Sequence, residues 1–145
     1  MNKQLADIIL KLKKDFSNSF KEINDKSWKF EVRTIDKRSQ VVNLLYKETF
    51  HSNIDISRFI SFSPIGPITK RFDFENILRL NNELEIGTVA IEDLKNNEGF
   101  KIPYLIFRAT HLAKTADYPE IYELITKTGE YADMLEGKIF SKDTH

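Results

Sequence analysis

The residues able to do chemistry are few and scattered. His51, His111 and His145 fall in a turn, near the end of an apolar run and at the terminus, and no two share the short spacing of a metal-binding pair. His111 is the one to watch, because Arg108, Thr110 and His111 close the most apolar strand; a lone imidazole without an orienting partner nevertheless reads as structural. Glu92-Asp93 and Asp133 with Glu136 are the carboxylate pairs. Asp133 and Glu136 lie three apart on a helix and could face one way, as general acid/base work or a divalent cation requires; the plainer reading is the solvated side of that helix. The chain has no cysteine, which removes thiol catalysis, Cys-ligated zinc and iron–sulfur clusters. Its five glycines are dispersed, with neither a phosphate-cradling loop nor a serine nucleophile elbow. No catalytic residue, cofactor site or metal ligand is therefore assigned.

The elements that would position such groups are legible from spacing. Leu5, Ile8, Ile9, Leu12, Phe16, Phe20 and Ile23 recur at helical steps, predicting one helix from about Lys3 to about Asn24. Trp28, Phe30 and Val32 alternate with Lys29, Glu31 and Arg33 as a strand with one wet face. After a turn at Asp36 to Ser39, Val41 to Lys47 reads as its hairpin partner. Ile54, Ile56, Ile60 and Phe62 predict a third strand that ends at Pro64, Gly66 and Pro67. Asp73 caps a short helix carrying Phe74, Ile77 and Leu78, which stops at Asn81, Asn82 and Gly87. Gly87 to Leu94 and Ile102 to Leu112 are further strands, the last apolar on both faces and so placed centrally. Asp117-Tyr118-Pro119-Glu120 opens a final helix in capping-box spacing, with Gly129 and Gly137 as breaks or close contacts.

The predicted order is α-β-β-β-α-β-β-α: an α+β domain over residues 1–145, with a single-layer, mostly antiparallel five-stranded sheet and helices packed on it. No stretch approaches the ~20 apolar residues of a membrane span, and the first helix lacks the apolar centre of a signal peptide, so a soluble, cytoplasmic protein is expected.

Net charge is zero, but residues 1–71 hold 14 basic and 8 acidic residues and residues 72–145 hold 8 and 14. Halves of +6 and −6 attract each other, within one chain or between two. The basic cluster Lys11, Lys13, Lys14, Lys26, Lys29, Arg33, Lys37 and Arg38 interleaves with Trp28 and Phe30. Alternation turns those rings to the core and the charges to water, which argues against a base-stacking platform for nucleic acid. Leu44, Tyr46 and Phe59 fall on strand faces opposite the presumed core stripes. Such a surplus means burial under a helix or a surface for a partner.

Three stretches carry a resemblance: Ser61-Phe62-Ser63-Pro64-Ile65-Gly66, then Ile77-Leu78-Arg79-Leu80-Asn81-Asn82 leading to Gly87-Thr88-Val89-Ala90-Ile91, and Tyr131-Ala132-Asp133-Met134-Leu135-Glu136. With the element order, they resemble the type III secretion chaperone-like superfamily, especially its YbjN-type branch. The resemblance implies a small cytosolic homodimer without enzymatic activity. Its chaperone members hold an extended segment of a client protein by side-chain pockets and strand addition. Its YbjN-type members are regulators. The chain is thus expected to be a non-enzymatic protein-binding module, chaperone-like or regulatory, with Leu44, Tyr46, Phe59, Phe74, Ile77 and Leu78 as partner-binding residues. The alternative is a small-molecule sensor or enzyme built on Arg108, His111, Asp133 and Glu136.

Overall fold

A computed structural model describes residues 2–35, 37–69 and 72–140. Helix α1, Lys3–Asp15, is capped by Asn2, whose side chain accepts the Leu5 amide, and it buries Leu5, Ile8 and Leu12. It is shorter than its apolar spacing predicts. Ser17-Asn18-Ser19 favours a turn, the Phe20 amide closes on the Phe16 carbonyl, and Lys21–Asn24 becomes a strand, β1. Phe16 and Phe20 keep their role without helix between them, since both rings meet Phe30 edge-on at 5.0 and 5.5 Å.

Strands β2 (Ser27–Arg33) and β3 (Ser39–Lys47) form the expected hairpin, pairing Trp28 with Leu44 and Phe30 with Val42. Next comes a feature the spacing did not indicate. Phe50–His51 and Ile54–Asp55 pair as a separate two-stranded hairpin, β4 and β5, around Ser52 and Asn53 in the left-handed region. Ile54 and Ile56 therefore leave the third strand predicted for them, and both are exposed. Strand β6, Arg58–Pro67, runs past Pro64 instead of stopping there. A register shift between Pro64 and Gly66 absorbs the missing proline amide, and the Pro64 carbonyl accepts the Gln40 side-chain amide at 2.8 Å.

Helix α2, Phe74–Leu80, starts at Asp73, whose carboxylate accepts the Asn76 amide, and a single 3-10 turn follows at Asn81–Glu83. Strands β7 (Thr88–Lys95) and β8 (Lys101–Leu112) are joined by a turn in which the Asn96 side chain accepts the Glu98 and Phe100 amides, with Gly99 at φ 86. The long helix α3, Tyr118–Phe140, is capped by Asp117, which accepts the Glu120 amide at 2.9 Å.

The chain is thus α+β, with one antiparallel sheet of six strands, not five, in the order β1-β2-β3-β6-β8-β7. Strand β8 lies inside it, with Leu105, Ile106 and Phe107 all buried. Helix α3 crosses β2, β3, β6 and β8 on one face, and α1 packs beside it. The helix sits close. A Cβ on Gly129 would come within 2.8 Å of Val32, and one on Gly66 would run into the Phe140 ring. The β6 residues on the covered face include Ser61 and Ser63, both fully buried.

Here the predicted partner-binding set needs correction. Register pairs Leu44 with Trp28 and Tyr46 with Phe59, which puts all four on the helix-covered face. Leu44 and Phe59 are buried in the core, as is Ile77, and Tyr46 packs edge-on against Phe59. Of the six, only Phe74 and Leu78 are exposed.

Substitutions at Gly129 and Ser61 test the close seating. Gly129→Ala should lower stability in denaturant titration, because overpacking costs roughly 1–3 kcal/mol against about 1 kcal/mol of gained helix propensity, and Val32→Ala in the same chain should recover part of the loss. The buried Ser61 hydroxyl has no hydrogen-bond partner, so Ser61→Ala should be neutral or stabilising by up to about 1 kcal/mol, while Ser61→Leu should destabilise.

Candidate functional site

The residues singled out for chemistry do not converge. Arg108 and His111 are three apart on β8, so they project to opposite faces of the sheet. The Arg108 partner Phe62 and the His111 partner Phe59 fall on those same opposite faces. His111 turns to the start of α3: its Nε2 meets a Glu120 carboxylate oxygen, and its Nδ1 lies 2.9 Å from the Leu112 carbonyl. Glu120 is the capping-box glutamate, and it holds the imidazole instead of reaching back to the Asp117 amide. That arrangement ties a strand end to a helix start. Asp133 and Glu136 lie on α3 well beyond Glu120, at about 1.5 Å per residue some 20 Å along the axis. Glu92 and Asp93, adjacent on β7, point to opposite faces. Among the described residues, no group of three or more His, Cys, Asp or Glu is placed to hold a metal ion.

Asp133 has a structural partner. It is buried on α3, and Arg38, from the turn between β2 and β3, donates to its carboxylate at 2.9 Å. Glu136, one turn on, is held above the ordinary carboxylate range, first because burial disfavours its charge and second because Asp133 repels it, with Arg38 opposing both. Glu136 remains largely exposed, so water screens much of this effect.

Depressions occur where α1 meets the start of α3 and beside the β4–β5 hairpin. The first is a solvent-open hollow of about 500 Å³ lined by Lys3, Asp7, Lys11 and Tyr118, with Lys11 Nζ 5.7 Å from the centre of the Tyr118 ring. The second, about 370 Å³, is bounded by Asp25, Lys26, Glu48, Phe50 and Asp55. In it, Asp55 is held below the usual range by hydrogen bonds from the Ser57 side chain and backbone. Both mix charges of either sign, and neither collects the groups considered above. The basic cluster spreads over α1, β2 and the following turn, with Trp28 and Phe30 buried beneath it.

The surface that stands out is the sheet's second face. Registers place Val41 and Leu45 of β3, Ile60 and Phe62 of β6, Ala90 of β7 and Tyr104, Ile106 and Arg108 of β8 on it. Ile60 and Ile106 are buried among these neighbours, Leu45 and Phe62 are half-buried, and Val41 is exposed. Lys29, Glu31 and Arg33 of β2 edge it on one side and Glu92 of β7 on the other. On β6 the usual arrangement is inverted. The strand turns Ile60 and Phe62 away from the helices and gives Ser61 and Ser63 to the face beneath α3. Sequence spacing had assigned Ile60 and Phe62 to the core, because apolar size on alternate positions is its only guide to facing. The signal that would have corrected it is the run of small residues Ser61, Ser63 and Gly66, which fits a closely seated helix.

Comparison with family models, curated proteins and solved structures returned no match. Among the described residues, no helix is long and apolar enough to cross a membrane.

The Arg38 cluster yields a pH test. The folded chain binds a proton at Glu136 more readily than the unfolded chain, whose value is near 4.5, so this group makes stability fall as pH rises through the range just above that value. Glu136→Gln should therefore be slightly more stable than the parent at neutral pH, the gain disappearing below about pH 4. Arg38→Gln should lose roughly 1–2 kcal/mol at neutral pH, because it leaves the buried Asp133 carboxylate without its guanidinium.

Proposed function

We propose that the chain is a protein-binding module without catalytic activity, acting in the cytoplasm as a homodimer whose two sheets meet through their helix-free faces. The inverted facing of β6 carries the reading. Half-buried Phe62 and Leu45 and exposed Val41, set around the buried Ile60 and Ile106 on a face that none of the described elements covers, make a patch that gains by being buried.

The occupant is argued from charge. A two-fold axis along the strands, passing over β6, lays β2 of one copy over β7 of the other, which sets Arg33 against Glu92 while the apolar centres meet. The resemblance to the YbjN-type branch supports a dimer as well, and with it a chaperone-like or regulatory role.

The reading predicts a dimer in analytical ultracentrifugation of the parent chain. Val41→Glu with Phe62→Glu should yield a folded monomer, since Val41 is exposed and a glutamate at 62 gains Arg108 as its cross-strand neighbour. Leu10→Glu, on the exposed side of α1, should leave the dimer intact. A parent chain that sediments as a monomer at every concentration overturns the reading.

A further inference from the structure

The helix-free face of the sheet carries its cations in opposed pairs. By register, Lys21 of β1 stands directly opposite Lys29 of β2, and Lys47 of β3 directly opposite Arg58 of β6. All four lie on that face, because Trp28, Leu44 and Phe59 hold the alternate positions beneath the helices. Like charges in directly opposed positions, about 5 Å apart at Cβ, cost a sheet stability. With Arg33 and Arg108, six cations stand on this face against two carboxylates, Glu31 and Glu92, an excess of four. Among the described residues, neither Lys47 nor Arg58 makes an ion pair, and both are exposed.

The face-to-face dimer sorts these charges unequally. Rotation about the axis over β6 brings Arg33 to Glu92, so an outer cation meets an acidic edge. Strand β6 lies on the axis itself, and a residue there keeps its place along the strand. Arg58 of one copy therefore faces Arg58 of the other. Lys47, one strand away, is set over β8 of the other copy, where the residue at its level is Leu112. Two arginines and two lysines thus gather at one end of the contact, and β3, β6 and β8 place no carboxylate at that level. Left alone, these charges oppose the apolar contact beside them. An anion between them turns the repulsion into attraction. Guanidinium groups take phosphate oxygens through paired N–H donors, and the lysines add point charges. Four cations call for a group with several negative charges close together, which a diphosphate supplies and a chloride does not.

We propose that Lys47 and Arg58 of two copies form a site for a diphosphate group on the dimer axis, through which a small diphosphate-bearing molecule controls dimerisation. The inference rests on the face-to-face dimer and adds a ligand and a means of regulation to it.

The test is sedimentation equilibrium of the full chain with and without millimolar inorganic pyrophosphate, at an ionic strength held constant with sodium chloride so that general screening does not change. Pyrophosphate should tighten dimerisation about tenfold or more. Lys47→Gln with Arg58→Gln relieves the opposed charges at two exposed positions. That chain should dimerise more tightly than the parent without pyrophosphate and lose the response to it. Lys13→Gln with Lys14→Gln, in the last turn of α1, should respond as the parent does. ADP in place of pyrophosphate separates two sources of the same group: action at a lower concentration than pyrophosphate assigns the site to a nucleotide, and equal or weaker action assigns it to the free anion. A parent dimer indifferent to pyrophosphate overturns the proposal and leaves the dimer standing. So does a Lys47→Gln, Arg58→Gln chain that dimerises no better than the parent or still responds. A parent chain that is monomeric in every solution overturns the dimer, and the site with it.

Discussion

The close approach of α3 to the sheet is the constraint on which the rest depends. A 23-residue helix crosses four strands at a distance that leaves no room for a side chain at Gly129 over Val32 and places the Phe140 ring where Gly66 would otherwise carry a Cβ. Side chains beneath such a helix are limited in volume, and β6, one of the strands it crosses, meets the limit with Ser61 and Ser63. Only Ser63 gains a hydrogen bond there, to the Val41 carbonyl at 2.6 Å, so small size is what the two serines have in common. The volume excluded from the covered face reappears on the other side of the same strand, as Ile60 and Phe62. The apolar second face is thus a consequence of how the first face is packed.

The same constraint explains which parts of the fold were legible in the sequence. Capped helices were, because Asp73 and Asp117 each accept an amide three residues on and the apolar steps behind them fit α2 and α3. The β2–β3 hairpin was also legible, since Trp28, Phe30 and Val32 alternate with charges and fix their own facing. Facing on β3 and β6 was not. Both strands are apolar on two faces, and the distinction between Leu44 or Phe59, which are buried, and Val41, which is exposed, is made by where α3 lies and not by local residue type. The break after Asp15 was missed for a related reason: Phe16 and Phe20 keep helical spacing because both must reach Phe30, and a turn delivers them as well as a helix does. Of the residues expected to bind a partner, Phe74 and Leu78 are exposed, Tyr46 is half-buried, and Leu44, Phe59 and Ile77 are buried.

Strand order converts the charge split along the chain into a gradient across the sheet. β1, β2, β3 and β6 come from residues 1–71 and fill one side, while β8 and β7 come from residues 72–145 and fill the other. The basic residues of β2 and the acidic residues around β7 thus stand at opposite ends of one layer, too far apart for pairing within the sheet. Among the described residues, an ion pair between the halves runs over the top, from Arg38 in the β2–β3 turn to Asp133 on α3. It pins the turn to the helix and leaves the gradient across the sheet in place.

A gradient of this kind favours some partners over others on geometric grounds. In the proposed dimer, the two-fold axis along the strands sets each acidic end over a basic end, whereas a parallel stacking would set like charges together. Parity within β7 then divides its carboxylates between the two faces of the sheet. Glu92 shares a face with Ala90 and Ile106 and points into the dimer contact, while Asp93 shares a face with Val89 and Ile91 and stays on the helix side.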